Sequence, residues 1–143
     1  MIADGVPDQL PRVTTIRDDS DADALDLGWN AVRWMPSEFV DLAARPGFAR
    51  LRATRDEPTD VGRTSFMGRR VAADTSQITV RFELAGALRA GLLLRTTETG
   101  LLELAVHADG RVRGVLVDDG VPTAVGEGHV DVDYVEVNRG VEA

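Results

Sequence analysis

The seven residues Ile78, Thr79, Val80, Arg81, Phe82, Glu83 and Leu84 constrain the fold more than any other stretch. Apolar and polar side chains alternate without a break. Ile78, Val80, Phe82 and Leu84 therefore share one face, and Thr79, Arg81 and Glu83 the other. A helix would scatter these four apolar residues around its circumference, whereas a pleated strand gathers them on one side. The stretch predicts an antiparallel strand with one face buried, and a buried face needs a second layer to cover it.

Further strands follow the same logic. Residues 48–53 alternate, with Arg50 and Arg52 opposite Leu51. Residues 91–95 form a short apolar run, as in a strand covered on both faces, and residues 101–107 turn Leu102, Leu104 and Val106 inward. Asp109-Gly110 then separates this run from residues 111–117, a strong hairpin signal, and Asp119-Gly120 marks a second turn. The last strand is expected at residues 130–137, with a bulge near Tyr134-Val135 where the inward phase slips. Residues 41–44 have room for one helical turn at most. Short strands, Gly-rich turns and almost no 3.6-residue period predict an all-β fold, an antiparallel β-sandwich. Residues 1–12 read as a flexible leader, 13–138 as the sandwich domain and 139–143 as a tail.

Composition narrows the function. With 143 residues the chain suits one hydrophobic core. The formal charge of −8 repels nucleic acid on average. No apolar run approaches the length of a membrane-spanning helix, and the first residues lack the pattern of a signal peptide. With no cysteine there is no disulfide and no thiolate metal site, so the localisation leans to the cytoplasm.

Five segments resemble the C-terminal concanavalin A-like domain of family-43 glycoside hydrolases, the β-xylosidases and α-L-arabinofuranosidases. They are Asp26-Leu27-Gly28-Trp29-Asn30; Leu42-Ala43-Ala44-Arg45-Pro46-Gly47-Phe48-Ala49-Arg50-Leu51; Phe66-Met67-Gly68-Arg69-Arg70; Ala90-Gly91-Leu92-Leu93-Leu94; and Asp131-Val132-Asp133-Tyr134-Val135-Glu136. The Arg-Pro-Gly-aromatic segment followed by the Arg-Arg segment is the most specific pair. The resemblance runs over roughly residues 18–137 and implies a concanavalin A-like jelly roll. It implies no activity in this chain, because the catalytic carboxylates of these enzymes reside on a separate five-bladed propeller. The family domain is usually longer. The expected shortfall lies between Ala90 and Val130, where residues 118–126 stand in place of a glycine- and aromatic-rich loop.

The chemistry-bearing residues are few. Hydrolysis of a glycoside needs two carboxyl groups flanking one bond, and abundant acidic residues are not such an arrangement. His107 and His129 stand next to turns without a nucleophile motif and read as surface residues. Asp18 and Asp19 would meet Asp131 and Asp133 if the first and last strands pair. Such an all-oxygen set suits Ca²⁺, although two separately solvated acidic edges is the favoured reading. No other cofactor is indicated. Trp29 and Phe39 are expected in the core. Trp34, between Arg33 and Met35 before Pro36, is the best candidate for an exposed ring that could stack on a sugar. Arg45, Arg69 and Arg70 lie within the resembling segments and read as structural, interface or carbohydrate-contacting residues.

The reading that follows is a non-catalytic accessory module. It would pack on a glycoside hydrolase propeller or on itself, because Leu92, Leu93, Leu94, Leu102 and Leu104 are too apolar to be left wet in a shortened sandwich. The alternatives are a stand-alone lectin-like carbohydrate-binding protein and a small glycoside hydrolase.

Overall fold

The computed structural model describes residues 15–71, 75–130 and, as backbone only, 135–141. Its ten strands are β1 (Asn30–Ala31), β2 (Val40–Asp41), β3 (Arg50–Leu51), β4 (Met67–Gly68), β5 (Ser76–Phe82), β6 (Arg89–Arg95), β7 (Leu101–His107), β8 (Arg111–Asp118), β9 (Val121–His129) and β10 (Val135–Val141). A single 3-10 turn, Pro36–Glu38, interrupts the strands among the described residues. All the pairings are antiparallel. The architecture is an all-β antiparallel sandwich, as the alternating pattern predicts.

The main sheet has the order β6-β7-β8-β9. Its turns obey the local sequence. Gly110 adopts φ +85°, and its N–H donates to the His107 carbonyl at 2.9 Å, closing the three-residue loop between β7 and β8. Asp119 and Gly120 both take positive φ, 46° and 79°, as a two-residue type I′ hairpin between β8 and β9 requires.

Both faces of this sheet are covered over β6 and β7. On the first, Val106 is wholly buried against Val80, Phe82 and Leu84 from the β5 side and against Leu92, Leu104, Val112 and Val130. The β10-β5 ribbon thus supplies the second layer, and the alternating row at 78–84 faces the core. On the second face Leu101, Ala105 and Val117 are 4%, 3% and 6% exposed. Residues 57–60 are tied over this side. Arg89 pairs with Glu57, Arg95 donates to the Pro58 carbonyl, and Arg33 donates to the Asp60 carbonyl and pairs with Glu98. The leucine row of β6 and β7 is therefore half-buried within one chain.

Several local expectations need correction. Residues 121–129, expected as loop and approach, form β9, whose nine residues are all exposed at the edge of the sheet. A bulge that was not expected lies at Gly114/Val115, opposite Val125; the one expected near Tyr134 falls outside the described residues. Among the described residues the last strand covers Val135–Val141, while residues 131–134 of the expected strand lie outside them. It pairs with β5. No helical turn forms at 41–44: the Asp41 carboxylate accepts the Ala43 and Ala44 N–H groups, so the chain bends after β2. Only two residues of the 48–53 stretch pair as strand.

Candidate functional site

The N-terminal segment 16–26 has no regular strand, and its own acidic side chains hold it in shape. Asp18 Oδ1 accepts the Ser20 N–H at 2.9 Å, and Asp18 Oδ2 accepts Trp29 Nε1–H at 2.5 Å. Asp26 Oδ1 accepts the Gly28 N–H at 2.8 Å and also pairs with Arg69. The Arg69 guanidinium in turn lies 4.8 Å from the Trp29 ring centre. Arg69 thus clamps the 16–26 segment to the start of β1 through one ion pair and one ring face. A Cβ at Gly28 would stand 2.9 Å from both Arg69 Nη1 and Asp26 Oδ1, so a larger residue would push aside the ends of these two side chains.

Between this segment, Leu42 and Arg69 opens a cleft of about 530 Å³. Its lining includes Asp18, Asp19, Asp21 and Asp26 together with Arg17 and Arg69. Asp19 pairs with Arg17 at 2.9 Å. Trp29 Nε1–H, and after it the Ser20 N–H, hold the Asp18 carboxyl below its ordinary pKa. A carboxyl with a depressed folded pKa adds stability above its unfolded pKa and loses it as pH falls through the folded value. Acid unfolding of the native chain is therefore expected to steepen below the ordinary Asp range, and Asp18→Asn to flatten that limb. Parallel pH–stability curves for the two chains, measured by urea titration, would show that the Asp18–Trp29 bond carries no such linkage.

The structure separates the residues singled out in the sequence. Arg69 and Asp18 meet in one network, and Asp19 lies beside them. Asp131 and Asp133 lie outside the described residues. Asp18 and Asp19 are already engaged by Trp29, Ser20 and Arg17. Among the described residues no group of three or more His, Cys, Asp or Glu side chains is placed to hold a metal ion. Arg45 sits elsewhere, 2.7 Å from Glu83 and 3.8 Å over the Phe48 ring, so it joins the Arg-Pro-Gly turn to the end of the β5 side. Arg70 is exposed.

Trp34 is half-buried where an exposed ring was expected. It stacks on Phe39 at 4.4 Å between ring centres, donates Nε1–H to the Thr64 carbonyl at 3.0 Å and has Arg63 at 6.0 Å. Phe39 is 2% exposed, in the core as expected, and Trp29 is half-buried. Sequence reasoning missed the Asp18–Trp29 and Asp26–Arg69 contacts, which join positions 11 and 43 residues apart. The Gly28 between Asp26 and Trp29 was the available signal, since glycine in such a spot marks a close approach.

The fold agrees with comparisons to known proteins. A family model described as the β-xylosidase C-terminal concanavalin A-like domain matches residues 17–138. A search of curated proteins returns no match. Among solved structures, the GH43 protein BlXynB from Bacillus licheniformis aligns with a TM-score of 0.78 at 21% identity, over 87% of this chain and 25% of that one. The xyloglucan PUL GH43B protein of Bacteroides ovatus aligns with a TM-score of 0.69 at 22% identity, over 95% of this chain and 29% of that one. The chain thus spans about a quarter of the length of the structures it matches. At these identities the structural likeness establishes the fold, and the family model adds membership: the chain belongs to the family of β-xylosidase C-terminal concanavalin A-like domains.

Proposed function

We propose that this chain is a non-catalytic accessory domain that serves carbohydrate hydrolysis by packing against a glycoside hydrolase propeller. The observation that carries the proposal is the match over residues 17–138 to a domain defined by its C-terminal place in β-xylosidases, set beside the quarter-length coverage of its GH43 neighbours. The carboxyl groups support it. A glycosidase raises the pKa of its general acid by burial or by a second carboxylate. Here the two described carboxyls whose pKa clearly moves, Asp18 and Asp109, both move down, held by hydrogen bonds from Trp29 and from the Arg111 N–H. Downward shifts suit structural anions and oppose the acid role.

The rings also favour this reading over a lectin with an aromatic platform. Trp34 stacks on Phe39, Trp29 faces Arg69 and Phe48 faces Arg45, so each ring has an intramolecular partner on a face that a sugar would need.

The purified chain is expected to release no nitrophenol from aryl xylosides or arabinosides above buffer background. A propeller domain of the family, added in trans, is expected to co-elute with it and to raise its melting temperature. Turnover by the chain alone, abolished by a single Asp or Glu substitution, would replace this reading with that of a small hydrolase.

A further inference from the structure

We propose that residues 56–63 form a strap that ion pairs hold down on β6 and β7, and that lifts off as one piece when ionic strength rises. The strap keeps its own shape. The Asp56 carboxylate accepts the Arg63 N–H at 2.8 Å across its neck. The Asp60 carboxylate accepts the Glu57 N–H at 2.7 Å, and the Asp60 N–H donates to the Glu57 carbonyl at 2.9 Å. Its base is fixed on the N-terminal half. Thr64 is buried, donates its hydroxyl to the Glu57 carbonyl and accepts Trp34 Nε1–H on its own carbonyl. The other side is held by arginines from outside the strap. Arg89 pairs with Glu57, and Arg95 donates to the Pro58 carbonyl at 3.2 Å. Arg33 donates to the Asp60 carbonyl at 3.2 Å and pairs with Glu98 in the turn between β6 and β7. Apolar contact adds little: Val61 is 79% exposed and Pro58 half-buried. A hold made of partly exposed charges is weak and is screened by salt, unlike the apolar core at Val106. Loops held in this way open at far lower free energy than core strands.

Lifting changes the surface of the sheet. Arg89 and Arg95 of β6 share a face with Glu103 of β7, because Leu93 lies between the two arginines in the same phase and stands opposite Glu103. With the strap down, Glu57 and the Pro58 carbonyl occupy the two guanidinium groups, and Glu103 stands 3.5 Å from Arg89. With the strap lifted, both guanidinium groups lose these partners. The strap is thus an intramolecular occupant of a charged surface that only the lifted form presents. The inference does not rest on the accessory-domain reading.

The chain has no cysteine, so paired spin labels can be attached at introduced thiols alone. Val61→Cys with Leu88→Cys reads the strap against the sheet, and Leu88→Cys with Val121→Cys reads the sheet by itself. All three native side chains are exposed, and the Leu88 carbonyl is tied to the Ala108 N–H at the end of β7. Double electron–electron resonance gives both distances from about 10 mM to about 1 M NaCl, over which the Debye length falls from about 30 Å to about 3 Å. The expected result is a second, longer distance between positions 61 and 88, with a population that rises about tenfold over this range. The distance between positions 88 and 121 should stay constant. Arg89→Gln is expected to raise the lifted population in low salt and to flatten its salt response. Glu57→Gln should do the same, and stands in should Arg89→Gln fold poorly, because the Glu57 side chain is 56% exposed. A single, unchanged distance between positions 61 and 88 at every salt concentration would overturn the proposal. So would a joint change in both pairs, which would mean that the whole domain loosens, or a lifted population in Glu57→Gln equal to that of the native sequence.

Discussion

Val106→Asp is expected to leave a chain with no cooperative unfolding transition. Val106 has no exposed surface, and the apolar side chains of Val80, Phe82, Leu84, Leu92, Leu104, Val112 and Val130 pack on it. A carboxyl placed there has no described donor among these side chains. It would be driven to its neutral form and still cost about 4 kcal/mol or more as an unsatisfied polar group, besides the lost apolar contact. A domain of this size has only about 5–15 kcal/mol in total. The site also joins the two layers of the sandwich, so the loss cannot be confined to one hairpin. Val106→Ala keeps the chemistry and should cost about 2 kcal/mol with the transition intact. Circular dichroism during a urea titration reads both. A Val106→Asp chain that unfolds sharply near the native midpoint would mean that the β5 layer does not close over β7.

Phe39→Ala is the second large loss expected, about 3–5 kcal/mol. Phe39 is 2% exposed, and its ring lies 4.4 Å from that of Trp34 at an interplanar angle of 12°. The substitution removes a filled volume and a stacked pair, the latter contributing about 0.5–1.5 kcal/mol beyond burial. The damage falls on the N-terminal half, because the Phe39 carbonyl accepts the Arg52 N–H at 2.8 Å and Trp34 is anchored to Thr64. Trp34 emission should shift to the red as its ring loses its cover. A drop in urea midpoint equivalent to less than about 1 kcal/mol, with unchanged emission, would show that this half of the domain carries little of the stability.

The parts of the fold legible in the sequence are those where burial imposes a period. The stretches read at 78–84 and 101–107 face a core, so their apolar residues recur at every second position; the second forms a strand at its expected bounds and the first at Ser76–Phe82. The turns at 109–110 and 119–120 are legible for a local reason, since positive φ favours Gly and, in the first position of the pair, Asp. β9 was not legible because an exposed edge strand has no buried face to mark: Val121, Pro122, Thr123, Ala124 and Val125 carry no alternation. The helical turn at 41–44 lost to a competition the pattern does not display, in which the Asp41 side chain takes the N–H groups a helix would have used. The cleft was half legible. Asp18, Asp19 and Arg69 were each picked out, but for separate purposes. Their convergence depends on Arg69 reaching across to Asp26, a tertiary contact without local signature.

β9 has a consequence for how any partner meets this domain. Pro122 offers no N–H to a neighbouring chain, and Val125 is the extra residue of the irregularity opposite Gly114/Val115, which breaks the even spacing of backbone groups. Glu127 adds a charge on the same strand. An incoming strand laid along this margin would find its ladder interrupted at two points within nine residues. The sheet is therefore poorly suited to grow sideways by templating, and a partner that binds tightly is expected to do so through side chains on a face or a loop cluster. Grafting this domain beside another enzyme would then be a matter of matching surfaces, with the order and number of its strands left as they are.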